Sequence, residues 1–186
     1  GNVFSFGSNQ FGQIGVEGSF SFAVSPERIS LPLVKQVSCG AYFNIYVTED
    51  GDVYSNGKNN YGQLGMGNTK DFSLPQKIIS LENVDFVQCG LDFVICKTFD
   101  NGGIYVWGCN TEGQLGTEDK KDRRSPVKNV DWPNEIIDIK CGYEHTLVLT
   151  EKQQVFSCGS NICGQTGLDV NEYKFIKLQK IESLSE

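Results

Sequence analysis

Three sets of residues in this 186-residue chain have types and spacing that could do chemistry. The first is a glycine-rich block of nine residues. It reads GSNQFGQIG over 7–15, GKNNYGQLG over 57–65, GCNTEGQLG over 108–116 and GSNICGQTG over 159–167. A glycine-rich loop cradles phosphate when a strand leads into it and a helix N-terminus follows. One loop suffices for that task, yet here four recur and no helical periodicity follows any of them. The blocks therefore read as structural turns, in which glycine supplies positive φ and room for close backbone approach. Asn9, Asn59, Asn110 and Asn161 suit hydrogen bonds within those turns. Gln13, Gln63, Gln114 and Gln165 are expected to satisfy buried backbone groups between neighbouring units.

The second set is the seven cysteines, odd in number and without a Cys-x-x-Cys pair. A zinc site is not expected, and Cys158 and Cys163 are too isolated to suggest another metal. Reduced thiols fit a cytoplasmic or nuclear protein. The third set follows each of three Cys-Gly pairs: Ala41-Tyr42-Phe43, Leu91-Asp92-Phe93 and Tyr143-Glu144-His145. Tyr42, Asp92 and Glu144 could offer a partner one packing anchor and two charge-assisted hydrogen bonds. The plain alternative is that they are solvated turn residues. Charge reversal at Asp92 or Glu144 is expected to leave folding nearly unchanged, as exposed substitutions do. His145 is either a hydrogen-bonded residue of its sheet or a partner contact. A basic run supplies a secondary candidate, Lys120, Lys121, Arg123 and Arg124, diluted by Asp119 and Asp122. It reads as a solvated loop or as a contact for an acidic partner. No Ser/His/Asp order or acidic pair recurs, so no covalent or acid–base catalysis, no metal and no cofactor is expected.

These residues must be positioned by short strands. Glycine is 21 of 186 residues and aromatics are 11%, a pairing that favours strands and tight turns over helices. Hydrophobic residues at 39% suffice for a core. The net charge of −7 argues against direct nucleic-acid or anionic-lipid binding. No apolar run approaches the ~18 residues of a membrane span, and no signal peptide is visible. The first glycines of the four blocks lie 50, 51 and 51 residues apart. Within that period recur Cys-Gly at 39–40, 89–90 and 141–142, strand-like runs ending at Thr48, Thr98 and Thr150, and β-branched or aromatic runs before each block. Pro26, Pro75 and Pro126 suit a tolerant edge strand, whereas Lys177 stands at the fourth such place. Each period holds about four strands, whose sheet buries neither face alone, so the sheets must stack radially as a propeller. Kelch glycine pairs and tryptophan–aspartate dipeptides are missing. In such a ring, Cys39, Cys89 and Cys141 serve as small apolar side chains near a crowded channel.

The Gly-x-Asn-x-x-Gly-Gln-Leu-Gly block, with Cys-Gly before a Thr-ending strand, resembles the regulator of chromosome condensation (RCC1-like) repeat across essentially the whole chain. That resemblance implies an all-β, seven-bladed β-propeller, of which this chain would be a partial ring of about 3.5 blades. Its repeats fall near 1–50, 51–101, 102–151 and 152–186, and full blades near 34–80, 84–130 and 136–180. Residues 1–30 supply only an outer pair of strands, so the remaining blades are expected from the parent chain. The resemblance also implies that the turns after Cys-Gly share one face, where the founding exchange factor meets the small GTPase Ran with acidic and histidine residues. Phe43 and Phe93 replace two of the family histidines, and only His145 keeps the type. The regular period leaves no room for the exchange wedge, and a basic tail like the founding member's is not expected. With only Trp107 and Trp132, no tryptophan cluster of the plant ultraviolet-receptor kind forms. The expected function is a non-catalytic module that binds a protein partner, a small GTPase or a ubiquitination substrate. The alternative is a guanine-nucleotide exchange factor whose wedge lies elsewhere.

Overall fold

A computed structural model describes residues 1–18, 20–99, 103–133, 135–169 and 171–184. The described residues are all-β, with a 3-10 turn at Glu182–Leu184. A two-stranded half-blade pairs β1 (Phe4–Ser8) with β2 (Phe22–Arg28). Three four-stranded antiparallel blades follow, each in simple meander order. Blade I holds β3 (Val34–Cys39), β4 (Phe43–Thr48), β5 (Val53–Gly57) and β6 (Phe72–Lys77). Blade II holds β7 (Val84–Cys89), β8 (Phe93–Thr98), β9 (Ile104–Gly108) and β10 (Arg123–Asn129). Blade III holds β11 (Ile136–Cys141), β12 (His145–Thr150), β13 (Val155–Ser160) and β14 (Lys174–Lys180). The expected partial propeller of about 3.5 blades is what forms.

The innermost strands β3, β7 and β11 stand side by side, and the Gln36 side chain bonds both backbone groups of Val87 across that gap (2.8 and 2.9 Å). Strand alternation explains the stacking. On β8, Val94 and Cys96 enter the core shared with blade I, while Phe93 and Ile95 enter the one shared with blade III. The cores therefore lie between blades, where neither sheet could hold them alone. Each inner pair carries the same register shift, after Val34, Val84 and Ile136. Such bulges increase the local twist that a blade needs. Pro26, Pro75 and Pro126 lie on the outermost strands β2, β6 and β10, where a missing N–H is tolerated. At the corresponding place on β14, Lys177 forms an ion pair with Glu118 of blade II. No helix among the described residues is long and apolar enough to cross a membrane.

Candidate functional site

The glycine blocks build one end of every blade. Each block's Asn takes the backbone N–H five residues on: Asn9 from Ile14, Asn59 from Leu64, Asn110 from Leu115 and Asn161 from Thr166, at 2.9–3.2 Å. Their side-chain amides tie down the loop that follows, as Asn59 does at the Asn68 and Lys70 carbonyls. The glutamines behave differently from expectation. Each side-chain oxygen accepts the N–H two residues before it, within its own block (2.8–3.0 Å). Their main-chain carbonyls also bond between blades: Gln13 accepts from Asn44, Gln63 from the Trp107 indole and Gln114 from the Thr146 hydroxyl. The side-chain oxygen is spent on closing the turn, so only the amide can reach outward, as that of Gln63 does to Asp92 of blade II at 2.8 Å.

At the same end, the turns at 40–42, 90–92 and 142–144 join the two inner strands of blades I, II and III. Gly40, Gly90 and Gly142 are needed there because the ring three residues on fills the space of a Cβ. Such a Cβ would stand 1.9 Å from Phe43, 1.9 Å from Phe93 and 2.0 Å from His145. The turns are also linked to each other. The Ala41 N–H donates to the Leu91 carbonyl (3.0 Å) and the Leu91 N–H to the Tyr143 carbonyl (3.2 Å), making one continuous inner ledge.

The four turn residues meet different fates on that ledge. Tyr42 is partly exposed, packs on Phe11 (5.1 Å between ring centres) and shares the Lys58 ammonium with it, 5.6 Å above each ring. Asp92 is only 8% exposed, and one carboxylate oxygen accepts from Gln63 Nε2 at 2.8 Å. Burial pushes its carboxyl above the usual range, opposed by the Lys58 charge and the Gln63 bond. The expectation of a freely reversible, exposed charge therefore fails at Asp92, because Gln63 of blade I covers it. Glu144 is half-buried, and its carboxylate makes no hydrogen bond or ion pair among the described residues. His145 is half-buried too, and burial lowers its pKa. Its ring takes the position of Phe43 and Phe93 and makes no hydrogen bond among the described residues, so it acts in the sheet by packing.

Asp92 and Glu144 line one groove of about 270 Å³, together with Tyr61, Thr111, Tyr143 and Gln114. Tyr42 stands apart with Phe11 and Lys58. The basic run lies at the same end of blade II but on its rim. Arg123 opens the outermost strand β10 opposite Gly108, three strand spacings or ~14 Å from the inner strand. Its guanidinium is spent on its own loop, on Asp119 (2.9 Å) and the Lys121 carbonyl (2.6 Å). Lys120, Lys121 and Arg124 are exposed. Sequence reasoning missed Lys58, Tyr61, Gln63 and Gln114 as parts of the face. Their blocks were visible, but nothing local showed that Tyr61, Gln63 and Gln114 lie against the next blade's turn, or that Lys58 lies over Tyr42 and Phe11. All seven cysteines are free, and burial pushes the Cys89 and Cys158 thiols up to about 12, far from a reactive thiolate.

Comparison with known proteins agrees with this architecture. The Regulator of chromosome condensation (RCC1) repeat matches residues 1–47, 50–96 and 101–149. A human probable E3 ubiquitin-protein ligase, HERC3, is 46% identical over 71 residues, covering 37% of this chain and 7% of that protein. A mouse secretion-regulating guanine nucleotide exchange factor is 39% identical over 97 residues, covering 47% and 19%. The Arabidopsis thaliana ultraviolet-B receptor UVR8 is 35% identical over 91 residues, covering 46% and 20%. The matched segments thus span a fifth or less of those relatives. Among solved structures, human WBSCR16 superposes with a TM-score of 0.81 at 25% identity, covering 95% of this chain and 46% of that one. Yeast RCC1 (Prp20), solved bound to Kap60, gives a TM-score of 0.82 at 21% identity, covering 97% and 44%. The four-stranded blades, the interlocked glycine blocks and a repeat match over most of the chain lead to one conclusion: this protein belongs to the regulator of chromosome condensation repeat family.

Proposed function

We propose that this chain is an arc of an interaction propeller that binds a protein partner through the inner ledge bearing Tyr42, Asp92, Glu144 and His145, with further blades completing the ring. The observation that carries this reading is the ledge itself. Three turns of equivalent position are hydrogen-bonded side by side, and their side chains are not absorbed by turn closure. Partners at such a surface gain from partly buried carboxylates and aromatic anchors more than from exposed charge. The relatives' full lengths support the completing blades, since the chain covers under half of each solved ring. Seven free thiols support a reducing compartment, the cytoplasm or nucleus. The matches to ligases cover only the repeat region.

A second reading, regulation of nucleotide exchange on a small GTPase, draws on the mouse exchange-factor relative. One experiment separates the two. The intact protein is used to capture partners from lysate, and affinity is then measured for Glu144→Lys and for a rim variant carrying Lys120→Glu, Lys121→Glu and Arg124→Glu. Glu144→Lys is expected to weaken binding by more than ~1.4 kcal/mol, a factor of ten, with the rim variant unchanged. Loss confined to the rim variant would move the site outward. If the captured partner is a GTPase, release of its labelled GDP, accelerated by the intact protein, would favour the exchange reading.

A further inference from the structure

Resting on that reading of the ledge, we propose that the groove between blades II and III accepts one arginine of the partner, side chain and main-chain carbonyl together. Three groups around it hold unused hydrogen-bonding capacity. Gln114 is only 1% exposed and lines the groove. Its side-chain oxygen accepts from the Glu112 N–H at 3.0 Å, but its Nε2 has no acceptor among the described residues. The corresponding amide of Gln63 is satisfied by Asp92 at 2.8 Å, and that of Gln165 by the Ser160 hydroxyl at 3.3 Å. Gln114 shares that open amide with the half-buried Gln13, but of the two it alone is buried and borders the groove. A buried donor without an acceptor is costly. Asp92 uses one carboxylate oxygen on Gln63, leaving its second without a donor among the described residues. Glu144 uses neither.

The ligand must therefore bring cationic donors for two carboxylates and one acceptor for an amide. Two tyrosines at the groove, Tyr61 and the largely exposed Tyr143, add flat apolar faces. An arginine residue has all of these features. Its guanidinium offers five N–H donors in a plane that stacks on aromatic rings, and its own carbonyl is the acceptor. Lysine lacks the plane and the fork. A nucleotide is disfavoured by charge, since its phosphates would face the Asp92 and Glu144 carboxylates that line the groove.

The test uses three blocked tripeptides, acetyl-Gly-Xaa-Gly-amide with arginine, lysine or citrulline at the centre. Each is titrated into the intact protein by calorimetry, while the side-chain amide signals of Gln114 are followed by NMR. The arginine peptide should bind and shift those signals, with lysine about tenfold weaker and citrulline, uncharged but nearly the same shape, weaker still. Glu144→Gln should weaken the arginine peptide about tenfold, and Asp92→Asn, which keeps an acceptor for Gln63, provides a second variant. Equal binding of all three peptides, or binding that leaves the Gln114 amide unmoved, would overturn the assignment. If Glu144→Lys abolishes partner capture while no peptide reaches Gln114, the ledge stands and the groove assignment falls. If Glu144→Lys leaves capture intact, the ledge falls as well.

Discussion

The two middle glycine blocks have a neighbour on each side, whereas the first and last each miss one. At the sixth position, a Cβ on Gly62 would stand 2.4 Å from the Arg124 Cα, and one on Gly113 2.5 Å from the Ile176 Cα, each on the next blade's outer strand. Gly164 meets nothing within 4 Å. At the first position, Gly57 and Gly108 press on the Tyr42 and Asp92 carbonyls of their own inner turns, while Gly7 meets nothing within 4 Å. Yet the Asn and Gln bonds that shape the block are present in all four copies. The block's conformation is thus a local property, and its glycines serve two contacts that can be removed one at a time.

The largest effect should come from testing the sixth position. Both Gly113 and Gly164 hold left-handed backbone, with φ of 84° and 74°. Alanine at either carries a conformational cost of ~1–3 kcal/mol. At Gly113 the Cβ also collides with the β14 backbone, adding overpacking of ~1–3 kcal/mol. Denaturant titration of both variants should show Gly113→Ala as the more damaging by at least ~1 kcal/mol. Equal losses would mean that the blade contact contributes nothing.

Next comes the asparagine. Asn110 is fully buried, accepts from the Leu115 N–H and donates to the Asp119 carbonyl and the Thr117 hydroxyl. Asn110→Ala strands a buried N–H and should cost ~1–3 kcal/mol. The half-buried Asn9 makes the same turn bond, but water can reach its neighbourhood, so Asn9→Ala should cost ~1 kcal/mol or less. Similar losses from both would show that burial by neighbouring blades adds little to the turn.

The smallest effect separates blade III from blades I and II. His145, at the place of Phe43 and Phe93, has its pKa lowered by burial. The unfolded chain then binds the proton more readily, so stability is full above 6.5, the ordinary value, and is lost as pH falls through the lowered folded pKa. Melting curves of the wild type should drop over that acid range. In His145→Phe, with no other histidine in the chain, that component should vanish. A variant that keeps the same slope would assign it to carboxylates.

Repetition made the architecture legible. Four blocks in register, the Cys-Gly strands and the outer-strand prolines reveal four strands per period, because strand pairing and turn chemistry depend on residues a few positions apart. The same symmetry placed Tyr42, Asp92 and Glu144 on one face. It could not say that Gln63, 29 residues upstream, buries Asp92, or that Lys58 lies over Tyr42 and Phe11. Nor could it say that Gln114 lacks the acceptor that Gln63 has.

The sequence by itself determined the period, the strands, the turns and the face on which the candidate residues stand, since each depends on short-range propensity repeated four times. Only the tertiary structure decided which of those residues are covered, paired or left open. Those properties arise where one blade's block leans on the next blade's turn, and radial packing sets that contact while blade symmetry leaves it undetermined.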